Sequence, residues 1–246
     1  MKKIGLLTLV VPIMLLAGCQ TQSNSSQHNS APSSQAPAKV KKTRFASLTS
    51  KLEKENLNME LPQRSGLGKL NKNINVRYTK KGDATTIYYS VGANKKKFND
   101  ASLEKEHPYL TLTKISGLSK KEITSRINYQ VAAKGLPTVK LDDETTAVSQ
   151  GAAGQSYLTW NKDNWSFTVK ANSYLGEKPN STANEVVDLL EDYRLPSKDG
   201  KGSMQFTVSE QYASLGNEML FEKDGNLYQV KAHSIKTMLK MMQSLR

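Results

Sequence analysis

The chain has 246 residues, 35 Lys and Arg against 22 Asp and Glu, and one cysteine, Cys19. A lone thiol excludes an intrachain disulfide framework, and the length suffices for a core held by packing alone. The formal charge of +13 is unevenly spread: residues 38–97 hold 15 Lys/Arg against four acids, Glu53, Glu55, Glu60 and Asp83, while residues 98–246 hold 18 of each sign.

Lys2 and Lys3 precede an apolar run, Ile4 to Leu16, that is short for a membrane span and ends in Leu16-Ala17-Gly18-Cys19. This is similar to the lipobox of bacterial lipoproteins. The resemblance implies a signal peptide over residues 1–18, recognised at Leu16, Ala17 and Gly18 and then removed. It implies a diacylglycerol on Cys19 and a place on the outer face of the cytoplasmic membrane, of uncharacterised Gram-positive type. Residues 19–37 are rich in Ser, Gln, Asn and Pro without apolar periodicity, the composition of a disordered tether.

Next comes the basic first unit, residues 38–118. Its candidate contacts to anionic lipid or wall polymer are Lys39, Lys41, Lys42, Arg44, Lys80, Lys81, Lys95, Lys96 and Lys97. Each basic residue close to an anionic leaflet contributes about 1 kcal/mol. The competing use of the charge is solubility. Nucleic acid is not an expected partner, because no binding module is recognisable.

Within this unit residues 46–60 read as an outer helix and Tyr78 to Val91 as a hairpin around Lys81-Gly82-Asp83. Ser119-Lys120-Lys121-Glu122 has capping-box spacing ahead of Ile123, Ile127 and Val131. Thr159 to Lys162 and Ser166 to Ala171 flank Asp163-Asn164, a second hairpin signal. Thr182-Ala183-Asn184-Glu185 precedes Val186, Leu189 and Leu190 as a second capping box. Both helices are expected to stop near a following Leu-Pro. Met219 to Lys223 and Leu227 to Ala232 flank Asp224-Gly225, and Ile235 to Leu245 reads as a terminal helix.

These elements repeat. Tyr89-x-Val91-x-Ala93, Phe167-x-Val169-x-Ala171 and Tyr228-x-Val230-x-Ala232 share a pattern, each downstream of Leu61-Pro62, Leu136-Pro137 or Leu195-Pro196. The last two units match best: Val148-Ser149 with Val208-Ser209, and Trp160-Asn161-Lys162-Asp163 with Phe221-Glu222-Lys223-Asp224. The expected fold is α+β, with tandem helix/antiparallel-hairpin units and the helices on one face of an antiparallel sheet. Residues 119–181 and 182–246 form the duplicated pair. The ending Phe221-x-Lys223-Asp224-Gly225-x-x-Tyr228-x-Val230, followed by a short helix, looks like the endings of Gram-positive envelope proteins.

Catalytic signals are weak. Ser102-Leu103-Glu104-Lys105 fits Ser-x-x-Lys without its partner motifs, and Asp142-Asp143-Glu144 reads as a solvated charge run. Gly151-Ala152-Ala153-Gly154 lacks the Lys-Ser/Thr of a phosphate loop. His28, His107 and His233 have no metal-ligand spacing, so neither metal nor cofactor is expected. Tyr157 and Trp165 are the candidate ligand contacts, Trp165 as an exposed aromatic at a turn exit; the competing reading places them in the core. The expected function is a non-enzymatic, lipid-anchored envelope-binding or structural protein. The alternative is a solute- or peptide-capturing lipoprotein with a cleft between repeated units.

Overall fold

A computed structural model describes residues 43–68, 73–208 and 214–246. Among these residues four α-helices and ten strands run in the order α1 (Arg44–Lys54), β1 (Ile74–Lys81), β2 (Ala84–Val91), β3 (Pro108–Ile115), α2 (Lys120–Ile127), β4 (Thr138–Lys140), β5 (Thr146–Ala152), β6 (Gln155–Lys162), β7 (Trp165–Asn172), α3 (Asn180–Asp192), β8 (Asp199–Thr207), β9 (Asn217–Lys223), β10 (Asn226–Ala232) and α4 (Ile235–Met242). All ten strands join one sheet, ordered β1-β2-β3-β10-β9-β8-β7-β6-β5-β4. The three expected units therefore contribute to a single sheet, within one compact unit, Lys41–Arg246.

Each of the three expected hairpins closes over a two-residue turn, as does a fourth, β5–β6, at Ala153 and Gly154. Asp163 and Asn164 both have positive φ, as do Asp224 and Gly225, the type I′ pattern that matches strand twist. In the β1–β2 turn Gly82 has positive φ and Asp83 does not, so the first hairpin turns differently.

Alternation along the strands sends Ile74, Val76, Ile87, Tyr89, Leu110 and Leu112 to one face, where they meet Phe45, Leu48 and Leu52 of α1. On the same face Trp160, Phe167, Val169, Met204, Phe206 and Phe221 pack under α3 and α4. Among the described residues this core draws on nothing before Phe45.

The opposite face corrects the expectation that the helices share one side. Ile123 and Ile127 of α2 pack on Leu220 and Leu227, whose neighbours Phe221 and Tyr228 point into the main core. Two polar contacts hold α2 there. Lys120 pairs with the buried Glu222 at 2.6 Å, and the Ser203 hydroxyl donates to the Ile127 carbonyl.

The sheet is also mixed: β7 and β8 pair in parallel, Trp165 beside Gly202 and Val169 beside Phe206. A hairpin cannot make this pairing. The 13-residue α3 carries the chain back along the sheet, spanning about 20 Å at 1.5 Å per residue.

Helix limits moved as well. α1 ends at Lys54 because Asn56 and Asn58 turn left-handed, which directs Leu57 and Leu61 into the core. The Ser119–Glu122 capping box is present, but α2 stops at left-handed Asn128, leaving Val131 70% exposed. Asn161 of β6 captures the segment that follows, accepting from the Ala132 amide and donating to the Gln130 carbonyl. α3 starts earlier than the Thr182–Glu185 spacing implied, with Pro179 at the N-cap position and fully buried Ala183 in the first turn.

The Leu-Pro pairs take three different environments. Leu61 and Pro62 are buried beside the C-terminal residues Leu245 and Arg246, Leu136 is exposed, and Leu195 packs partly against the core.

Candidate functional site

Cys19, Leu16, Ala17, Gly18, Lys39, Lys41 and Lys42 lie outside the described residues. The other basic candidates separate into two groups. Lys80 and Lys81 are exposed at the β1–β2 turn, one strand length (about 25 Å at 3.3 Å per residue) from the end where Arg44, Lys95, Lys96 and Lys97 gather.

At that end Arg44 and Lys96 are drawn into a buried network around Asn75. The Asn75 Oδ1 accepts from Arg44 Nη2 and from the Lys96 amide, both at 2.8 Å. Its Nδ2 donates to the Asn94 carbonyl at 3.0 Å and to the Glu106 carboxylate at 3.1 Å. Ser90 donates to the same carboxylate at 2.6 Å, and the Lys96 ammonium lies 3.4 Å from it. Arg44 also donates to the Ile74 and Lys96 carbonyls, and burial lowers its pKa from the ordinary value. These two residues tie α1 and the segment after β2 to β1. Lys51, Lys95 and Lys97 remain exposed, and Thr43, Arg44, Lys51, Lys95 and Lys96 line one open cleft.

A second cavity, of about 480 Å³, lies on the core face between the β6–β7 turn and the chain leaving α3. Trp165, Phe167, Leu190, Tyr193, Leu195 and Pro196 form its apolar lining. Lys162, Arg194 and Lys198 bring positive charge to it, against Asp163. The Lys198 ammonium stands 5.2 Å from the centre of the Trp165 ring and donates to the Gly200 carbonyl at 2.8 Å. Burial lowers the Lys198 pKa, while the nearby Asp163 acts in the opposite sense.

Trp165 is 3% exposed, contrary to its expected exposure at the turn exit. It pairs in register with Gly202, where a Cβ would come within 2.6 Å of the indole, and it tilts against Phe221 at 6.1 Å. The parallel β7–β8 pairing buries the ring, and no local signal announces that pairing. Only a small part of the ring reaches the cavity.

Tyr157 lies on the other face of the sheet, since Leu158 and Trp160 point into the core. The two aromatic candidates therefore do not share a site. Tyr157 is half-buried among Gln150, Thr159, Thr168, Lys170 and Gln205, where open grooves meet. The other members of the cavity beside Trp165, Arg194 and Lys198 above all, were missed in the sequence. Their only signal was Leu195-Pro196, read there as a repeat marker.

The weak catalytic motifs have local roles. Ser102 Oγ donates to Asp100 Oδ1 at 2.7 Å, and Asp142 accepts the Glu144 amide at 2.7 Å within a turn. Ala153 and Gly154 make the left-handed β5–β6 turn, and His233 Nδ1 sits 3.1 Å from the Ser214 carbonyl. Among the described residues no group of three or more His, Cys, Asp or Glu is placed to hold a metal, and no helix is long and apolar enough to cross a membrane. No family model, curated protein or solved structure matches this chain, so a functional reading rests on its own residues.

Proposed function

We propose that this chain is a lipid-anchored, extracytoplasmic, non-enzymatic binding protein of the cell envelope, attached through a diacylglycerol on Cys19. Its basic first unit faces anionic lipid or wall polymer. One observation carries the second part: Thr43, through which the segment bearing Cys19 joins the fold, lines the same cleft as Lys51, Lys95 and Lys96. Exposed positive charge thus gathers where the chain from Cys19 enters the fold, and an anionic surface would attract it once within about a Debye length.

Two experiments test this reading. Cys19→Ser should move the protein from the membrane fraction to the medium; retention in the membrane would refute the anchor. Residues 20–246 should bind phosphatidylglycerol vesicles or teichoic acid at low salt and release them as salt rises. Joint Lys51→Glu, Lys95→Glu and Lys97→Glu replacement should abolish that binding, and binding indifferent to both changes would refute the surface contact.

The capture reading is favoured by a separate observation. The cavity beside Trp165 takes one wall from residues 119–181 and the other from residues 182–246, the cleft position expected between the duplicated units. We read a duplication here in the two hairpins β6–β7 and β9–β10, which share turn type and core-facing residues. The Val148/Val208 correspondence is not part of it, because Val148 pairs with Thr159 on the face away from the main core whereas Val208 packs against that core.

A further inference from the structure

We infer that the cavity between the β6–β7 turn and the α3–β8 connection takes a small amphipathic organic anion, its apolar body against Trp165 and Leu195 and its acidic group among Arg194, Lys198 and Lys162. The inference rests on the capture reading and adds the ligand chemistry.

The volume of about 480 Å³ falls within the range of small-molecule sites, about 300–1,000 Å³. Its apolar side is pre-formed. Gly202 and Phe221 pack against Trp165 and hold it in place, and Leu190 and Tyr193 line the cavity from the end of α3. Burial of an apolar body there needs no rearrangement of the core, which lowers the ordering cost of binding.

Charge selects the ligand's other end. Three cations and one carboxylate line the cavity, a net of two positive charges. Glu191, Asp192 and Asp199 are close in sequence but form no part of the lining. Among the described residues no carboxylate reaches ion-pairing distance of Lys198, whose ammonium gives one of its three donors to Gly200. Burial has already removed part of its water, so an arriving anion offsets an existing desolvation cost. A neutral ligand would leave that cost in place.

The test uses residues 20–246, which contain the whole described core, and 8-anilino-1-naphthalenesulfonate as the probe. Its uncharged counterpart is N-phenyl-1-naphthylamine. Calorimetry and dye fluorescence should show one sulfonate bound per chain, more tightly than the neutral dye. Arg194→Glu, at an exposed position, and Lys198→Glu should each weaken the sulfonate about fivefold or more. Leu195→Trp should exclude both dyes, and Lys95→Glu should change neither. Equal affinity for the two dyes, with no response to charge reversal, would overturn the anion assignment and leave the capture reading standing. Binding of neither dye would overturn both. Many dyes per chain, unaffected by Leu195→Trp, would show general surface adhesion and overturn both as well.

Discussion

Trp160 stacks on Phe167 across β6 and β7, ring centroids 5.2 Å apart and planes 12° from parallel. Across β9 and β10, Phe221 stacks on Tyr228 at 5.3 Å and 10°. Each stack sits on a hairpin closed by a positive-φ turn that begins with Asp, and each faces the same core. The helices ahead of the two hairpins do not follow suit, since α2 and α3 pack on opposite faces.

The first stack should be a main support of the fold. Trp160→Ala removes a fully buried indole and leaves a cavity beside Phe167, at a cost of about 3–5 kcal/mol. Urea denaturation should show the loss as a lower midpoint with little change in slope.

Asn75 uses both its oxygen and its amide nitrogen in buried hydrogen bonds. Asn75→Ala leaves Glu106, Arg44 and the Lys96 amide short of partners, a destabilisation of about 3 kcal/mol. Hydrogen exchange should locate the loosening in residues 92–106. Uniform protection there would show that the network does not hold this segment.

Tyr89 behaves in the opposite way. Its hydroxyl is buried and has no hydrogen-bond partner among the described residues, so Tyr89→Phe should match or exceed the parent stability, by up to about 1 kcal/mol. Burial raises the pKa of Tyr89 and of Tyr109 above the ordinary tyrosine value of 10.0. Unfolded chains ionise first, so this contribution is complete below about pH 10 and is lost as pH rises beyond it. An alkaline melting series should show a decline that Tyr89→Phe makes shallower.

The start of α2 depends on Ser119. Its hydroxyl accepts the Glu122 amide, and Ser119→Ala should cost about 1 kcal/mol. Hydrogen bonds from Ser119 lower the Glu122 pKa, so their support is present above the unfolded carboxylate value and lost as pH falls through the folded one. Acid titration should therefore weaken the parent more than Ser119→Ala, in which only the backbone amide of residue 119 still donates to Glu122.

The hairpin turns and the α2 cap were legible because their signals lie within a few residues. Asp163-Asn164, Asp224-Gly225 and Ser119 with Glu122 each specify a conformation through sterics or a hydrogen bond close in sequence. The basic run was legible as composition, but the use made of each charge was not. Arg44 meets Asn75 across 31 positions, and Lys96 meets Glu106 only after the segment between them has folded back.

From its own residues the chain determined where it turns, which faces of its strands are apolar and where its positive charge is concentrated. Those properties follow from local backbone sterics and from side-chain alternation. Tertiary structure decided that β7 and β8 run parallel, that α2 lies across the sheet from the other helices, and that Trp165 is buried while Tyr157 faces the opposite side. These outcomes depend on strands and helices competing to bury the same apolar surface, a choice made only when the whole sheet assembles.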